Sequence, residues 1–258
     1  MNLVVDIGNT QVKAAAVEGT TITALETFPS AEQADLKPIL ARYPIKRTIV
    51  ASTGRGAAYV IDMLRELGMQ VLVMTPDTPV PIGKDYLTPH TLGSDRIAAA
   101  VGAEAVYGRG DYLIVDFGTA ITIDLVCGGV FRGGNISPGM RTRFRALHDY
   151  TSRLPECSPS DETVFPARCT TEAIEQGVMQ GITYEIEGYI RSLTEKNVKI
   201  SIIFTGGDAK YFVKRIKNAI FAKCELVICG LNRILDYNAT EQAVSYTHLR
   251  AHETKANL

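Results

Sequence analysis

The sequence predicts an α/β protein of two similar domains, each a mixed sheet of the five-stranded type covered by helices, with a cleft between them. The first observation is a repeated hairpin. A strand, an Asp-x-Gly turn and a second strand occur at Val4-Val5-Asp6-Ile7-Gly8-Asn9-Thr10 and again at Ile114-Val115-Asp116-Phe117-Gly118-Thr119-Ala120. Such self-similarity about half a chain apart marks a duplicated unit. The second observation is that strand-like and helix-like periodicities follow each hairpin in a mixed order, which suits a sheet covered by helices. The third is bulk composition: 258 residues suffice for two modest cores, and 46% hydrophobic with 21% charged residues is ordinary for a globular chain.

In the first half, Leu3 to Ile7, Val12 to Val17 and Thr21 to Phe28 read as three strands separated by the turns Gly8-Asn9-Thr10 and Glu18-Gly19-Thr20. Helical periodicity covers Ala31 to Tyr43, Arg47 to Ala51 is a β-branched strand, Ala57 to Leu67 a helix and Gln70 to Met74 a strand. The Ala-rich helix Ile97 to Val106 carries small apolar residues suited to close packing. The second half reopens with strands at Tyr112 to Val115, Ile121 to Val126 and from Val130-Phe131. Helical stretches follow at Met140 to Tyr150 and Thr170 to Thr194, with a proline-containing surface loop, Leu154 to Arg168, between them. A strand at Lys199 to Phe204 leads through Thr205-Gly206-Gly207-Asp208 into a helix ending near Ala219. The closing elements are predicted as a strand, Glu225 to Ile228, and a short helix near Leu231 to Tyr237.

The predicted domains are therefore 1–110 and 111–238. Residues 239–258 form a tail without clear periodicity, whose run from Ser245 resembles translated adaptor read-through. The tail is expected to be non-native or disordered, and no function is assigned to it.

A net charge of −1 gives no electrostatic grip on nucleic acid or anionic lipid. No apolar run reaches the roughly 18 residues of a membrane span, and the N-terminus lacks the basic and small-residue regions of a secretory signal. A cytoplasmic protein without nucleic-acid or membrane partners is expected. Cys127, Cys157, Cys169, Cys224 and Cys229 are odd in number, scattered and without a CxxC pair, so free thiols are expected rather than disulfides or zinc.

Asp6-Ile7-Gly8-Asn9-Thr10 with Lys13 is the strongest local signal. A strand ending in Asp presents a carboxylate that can hold magnesium directly or through water, Gly8 lets backbone approach a phosphate, and turn N–H groups form an anion-binding concavity. A plain hairpin with Asx-type turn chemistry is the alternative. Asp116-Phe117-Gly118-Thr119 is a second such turn. Thr205-Gly206-Gly207-Asp208, after a strand and before a helix, is a third, suited to adenosine. Gly133-Gly134-Asn135-Ile136-Ser137-Pro138-Gly139 is a fourth glycine-rich turn. Two decoys fail. Gly83-Lys84 lacks the Ser/Thr and first glycine of a Walker loop, and Gly54-Arg55-Gly56 lacks the third glycine of a dinucleotide fingerprint.

Between the repeats stands Tyr86-Leu87-Thr88-Pro89-His90-Thr91-Leu92-Gly93-Ser94-Asp95-Arg96. Asp95 opens a helix, where a first-turn carboxylate is commonplace. Its functional reading is a base that accepts the proton of a substrate hydroxyl attacking a γ-phosphorus, with Arg96 pairing an anionic substrate.

From Met1 to about Tyr237 the chain resembles type III pantothenate kinases. The shared motifs are DxGNT at Asp6 to Thr10, a tyrosine seven residues before GxDR at Tyr86 and Gly93 to Arg96, and DxGTA at Asp116 to Ala120. GGxIxPG at Gly133 to Gly139, TxxAIxxG from Thr170 to Gly177, TGG at Thr205 to Gly207 and LVxxGL at Leu226 to Leu231 complete the set. The resemblance implies an actin/hexokinase-like fold of two ribonuclease-H-like domains, a homodimer, and ATP-dependent phosphorylation of pantothenate, the first step of coenzyme A synthesis. It implies Asp95 as proton acceptor, and Tyr86, Gly93, Ser94, Asp95, Arg96 and Thr170 as pantothenate contacts. ATP would be bound by Asp6, Ile7, Gly8, Asn9, Thr10, Gln11, Val12, Lys13 and Thr119, with Gly206 and Gly207 at the adenosine. Asp116 would ligate a monovalent cation, potassium or ammonium, and magnesium would accompany the nucleotide near Asp6. Ser94 stands where alanine is common, and Cys169 precedes Thr170 where a polar residue is usual. The rival readings are a sugar or acetamido-sugar kinase of the same superfold, which lacks the Tyr86 and Gly93-to-Arg96 signature, and an ATP-binding regulator, which needs a DNA-reading element that the chain does not show.

Overall fold

The computed structural model describes residues 1–195, 199–217, 219–221 and 225–255. The chain divides into two compact units, residues 1–108 with 226–258, and residues 109–225.

In the first unit the strands are β1 (Asn2–Ile7), β2 (Val12–Glu18), β3 (Thr21–Phe28), β4 (Arg47–Ser52) and β5 (Val71–Val73), in the order β3-β2-β1-β4-β5. A two-residue β6 (Gly83–Lys84) follows. β1, β2 and β3 pair antiparallel, whereas β4 joins β1, and β5 joins β4, in parallel. Leu3, Val5 and Ile7 form a core with Ile39 of helix α1 (Lys37–Arg42) and with Val60 and Leu64 of α2 (Ala57–Glu66). Helices α3 (Ser94–Tyr107) and α7 (Leu226–Lys255) pack on β1 and β4. With both faces covered, β1 and β2 read as continuous apolar runs rather than alternating ones.

The second unit repeats this plan. Its strands β7 (Tyr112–Phe117), β8 (Ala120–Cys127), β9 (Val130–Pro138), β10 (Ser201–Thr205) and β11 (Ala219–Phe221) lie in the order β9-β8-β7-β10-β11. The pairing also repeats, antiparallel among β7, β8 and β9, and parallel for β10 on β7 and β11 on β10. Helices α4 (Met140–Asp149) and α5 (Thr170–Glu195) contribute Met140, Phe144, Ile174, Val178 and Ile182 to a core with Leu113, Val115 and Phe117. Phe117 stacks on Phe212 of α6 (Ala209–Phe212) at 4.8 Å and meets Phe204 edge-on at 5.0 Å.

Several expectations are corrected. Glu225 to Ile228 is not a strand: Leu226 begins α7, which also replaces the separate short helix. Leu226, Ile228, Cys229, Leu231, Ile234 and Leu235 are all buried, and a short apolar run cannot by itself distinguish a strand from a buried helix. This helix returns to the first unit, so the unit boundary falls at residue 225 and not at 238. Gly102 of α3 and Gly230 of α7 make the contact possible, because a Cβ on Gly230 would lie 1.8 Å from the Ala98 carbonyl oxygen. The close packing expected of the Ala-rich helix is thus met by α7.

Ala31 to Tyr43 is broken into a 3-10 turn, Ala31–Gln33, and α1, since Pro38 fits a first helical turn but not a helix interior. Gly133 to Pro138 continues β9 instead of turning. Gly134 pairs with Asp124 of the neighbouring β8 so closely that a Cβ would lie 2.1 Å from the Ile123 carbonyl oxygen. The helix expected to run to Ala219 stops at Phe212, and Ala219 begins β11. The backbone of α7 extends through Lys255, into the predicted tail. Cys224 and residues 256–258 lie outside the described residues.

Candidate active site

The two Asp-tipped hairpins have the same local build. Asp6 is the last residue but one of β1, opposite Lys13 of β2, and Gly8 N–H donates to the Gln11 carbonyl at 3.0 Å. Asp116 stands in the matching place on β7 opposite Thr122, and Gly118 N–H donates to the Ala120 carbonyl at 3.2 Å. Both aspartates are half-buried between fully buried neighbours, and Asn9, Thr10 and Thr119 are exposed. Ile7 and Val12 are each only 1% exposed, so they can offer a nucleotide backbone groups alone. Asn9, Thr10 and Gln11 are the residues of the turn with side chains open to solvent.

In the second unit two of the predicted turns and the start of α4 come together. Asp208 N–H donates to the Phe117 carbonyl at 3.1 Å, which seats the Thr205-Gly206-Gly207 turn on the Asp116 turn. Gly206 has φ +92°, and a Cβ there would lie 2.3 Å from Asp116 Oδ1 and 2.6 Å from Phe117 N. Only glycine fits this conformation and this contact. Gly139 N–H and Thr142 Oγ1 both donate to the Thr119 carbonyl, at 3.0 and 2.7 Å, so the start of α4 holds the second hairpin from its other side. Arg141 of α4 pairs with Asp208 at 3.4 Å. Thr170 is the exposed first residue of α5.

In the first unit, Gly93 caps α3, Ser94 and Asp95 are its first two residues, and Asp95 Oδ1 accepts the Arg96 N–H at 2.8 Å. A Cβ on Gly93 would fall 2.4 Å from Asp95 Oδ1, which accounts for the glycine of the motif. Arg96 is 5% exposed, and its guanidinium carbon lies 5.8 Å from the centroid of the Tyr86 ring, a cation–π contact that joins the two ends of this segment. Ser52 and Thr53 at the end of β4 share one cavity with Gly93 and Ser94. β4 lies beside β1, with Ala51 opposite Asp6. The Asp6 turn and the start of α3 therefore occupy the same edge of one sheet, at the C-terminal ends of its parallel strands, where open α/β sheets bind ligands.

One element escaped the sequence motifs. Ala51 faces Asp6 as Thr205 faces Asp116, and Gly54 N–H donates to the Ile7 carbonyl at 3.1 Å as Asp208 N–H donates to that of Phe117. Ala51-Ser52-Thr53-Gly54 is thus the first unit's counterpart of the Thr205-to-Asp208 turn. The repeated hairpin is the signal from which this could be found, by counting outward in register.

A family model described as type III pantothenate kinase matches residues 2–192. The chain belongs to the type III pantothenate kinase family. Curated type III pantothenate kinases of Phocaeicola vulgatus and Porphyromonas gingivalis are 40% and 39% identical to it over 241 residues, spanning 92% of this chain and 99% and 98% of theirs. The kinase is a phosphotransferase that uses ATP and a small-molecule acceptor. Among solved structures, a Baf family transcriptional activator of Campylobacter jejuni superposes with a TM-score of 0.61 at 23% identity, covering 92% of this chain and 99% of its own. The activator of the 2-hydroxyisocaproyl-CoA dehydratase from Clostridium difficile, solved with bound ADPNP, gives 0.51 at 16%, covering 94% and 97%. The fold is accordingly actin/hexokinase-like.

Proposed function

We propose that the kinase phosphorylates pantothenate with Asp95 as the base that receives the hydroxyl proton. The reaction is ATP-dependent phosphorylation of pantothenate, in coenzyme A biosynthesis. The observation that supports the residue assignment is the placement of the Asp6 turn and the Gly93-to-Arg96 segment at one edge of the first sheet. Phosphoryl transfer asks mainly for positioning and charge neutralisation. Asp6 to Lys13, together with Thr119, hold the ATP phosphates through backbone N–H groups and the Lys13 charge, and Gly206 and Gly207 lie flat against adenosine. Tyr86, Gly93, Ser94, Arg96 and Thr170 hold pantothenate, with Arg96 as the partner for its carboxylate. A primary alcohol loses its proton late in a loose transition state, so a carboxylate of ordinary basicity suffices at Asp95.

The donor sets fit the expected cations. Magnesium takes one or two carboxylates, waters and nucleotide phosphates rather than an all-protein cage. Asp6 supplies one carboxylate, and no group of three His, Cys, Asp or Glu stands together among the described residues. Asp116, half-buried in the second hairpin as Asp6 is in the first, supplies the carboxylate oxygen that potassium or ammonium would take. Bound there, the cations offset phosphate charge. The enzyme acts as a cytoplasmic homodimer in this reading. Among the described residues, no helix is long and apolar enough to cross a membrane.

A coupled ADP-release assay with pantothenate, N-acetylmannosamine and simple hexoses tests the assignment. Pantothenate alone is expected to support turnover. Release driven by a sugar and not by pantothenate would overturn it.

A further inference from the structure

The cavity of about 180 Å³ in the first unit has a wall that no motif assigns, the Ser52-Thr53-Gly54 turn. In the second unit the corresponding turn is read as a nucleotide contact. Here it faces the start of α3 instead, one residue from the proposed base.

The cavity combines hydroxyls and hydrocarbon. Ser52 Oγ donates to the Gly54 carbonyl at 3.1 Å and so stiffens the turn. Thr53 Oγ1 and Ser94 Oγ, from β4's end and α3's start, have no hydrogen-bond partner among the described residues. Leu92 and Ile97 supply buried apolar surface. Of the two basic side chains of the lining, Lys84 Nζ donates at 2.9 Å to the carbonyl of Pro76, itself a lining residue, and His90 stands 3.8 Å from Asp77. The Thr53 and Ser94 hydroxyls beside the apolar Leu92 and Ile97 fit the neutral, branched part of an acceptor.

We propose that Thr53 is a further acceptor-binding residue. Its hydroxyl, with that of Ser94, hydrogen-bonds the amide and secondary hydroxyl of pantothenate, while Leu92 and Ile97 receive the dimethyl-branched carbon. The proposal rests on the reading of the Gly93-to-Arg96 segment as the acceptor site.

The test is steady-state kinetics of the full chain with wild type, Thr53→Val and Thr53→Ser, varying pantothenate at saturating ATP and then ATP at saturating pantothenate. Valine keeps the shape and removes one hydroxyl; serine keeps the hydroxyl. Thr53→Val is expected to raise KM for pantothenate about fivefold or more, the factor one neutral hydrogen bond supplies. KM for ATP and Tm should stay at wild-type values, and Thr53→Ser should behave nearly as wild type. A pantothenate KM within about twofold of wild type in Thr53→Val overturns the proposal, as does an equal loss in Thr53→Ser or a change confined to ATP. A wild type that turns over ATP with another acceptor and not with pantothenate removes the underlying reading, and the proposal with it.

Discussion

Replacing Gly206 by alanine puts a methyl group 2.3 Å from Asp116 Oδ1, 2.6 Å from Phe117 N and 2.7 Å from Phe117 O, at a backbone φ of +92°. Holding a non-glycine residue there costs about 1–2 kcal/mol, and forcing the strand end aside costs about 1–3 kcal/mol more, for roughly 2–5 kcal/mol in all. In a domain of this size each kcal/mol lowers Tm by roughly 2–4 °C, so a drop of about 4–20 °C is expected. The neighbouring Gly207 is the internal control. A Cβ built there meets nothing within 4 Å, so Gly207→Ala should stay within about 0.5 kcal/mol of wild type. The kinetic prediction differs from the thermal one. Both variants should raise KM for ATP, Gly206→Ala by moving the turn and Gly207→Ala by placing a methyl where adenosine lies flat. Differential scanning calorimetry with ATP-dependence curves measures both. Equal Tm values for the two variants would refute the packing argument, and a wild-type KM for ATP in Gly207→Ala would refute the adenosine assignment.

Asn2 Nδ2 donates to Asn232 Oδ1 at 2.8 Å and to Asp236 Oδ1 at 2.9 Å, tying α7 to β1 in a buried setting. Asn2→Ala should cost about 1–3 kcal/mol, read as a lower urea midpoint at unchanged m, and an unchanged midpoint would remove that tie from the account. Burial, reinforced by Asp111, raises the Cys127 thiol above 9.0, and burial, reinforced by Glu175, raises Cys157. Unfolded thiols therefore ionise first. Their contribution to stability is constant below about pH 8 and declines as pH climbs through the folded values. Peptide mass spectrometry should find both thiols alkylated by iodoacetamide at pH 8.5 more slowly in the folded chain than in urea. Equal rates would contradict the burial.

The hairpins could be read in advance because their chemistry is local. An apolar strand, an Asp-x-Gly turn and a second strand are all written within a few residues, and the burial of Val5, Asp6, Ile7 and Gly8 recurs at Val115, Asp116, Phe117 and Gly118. The glycines of the Gly93-to-Arg96 and Thr205-to-Gly207 motifs were equally visible, although the reasons for them are tertiary, the Asp95 carboxylate in one case and the Asp116 turn in the other. The return of α7 to the first unit was hidden, because it depends on Gly102 and Gly230 meeting across more than a hundred residues of chain. Gly134 looks locally like a turn glycine for the same reason, since what demands it is the close approach of the neighbouring strand at Ile123 and Asp124. Ser52-Thr53-Gly54 carries no motif at all. Its place follows only from the pairing of β4 with β1.

The central claim is that the carboxylate at the start of α3 takes the proton of the attacking alcohol. Asp95→Asn keeps the size of the side chain and its acceptor oxygen for the Arg96 N–H. Rapid-quench measurement of phosphopantothenate formation, with ATP affinity determined by calorimetry, should show wild-type ATP binding and a rate reduced by about 10²–10⁴. A variant that transfers phosphate within about tenfold of the wild-type rate would contradict the assignment of that base.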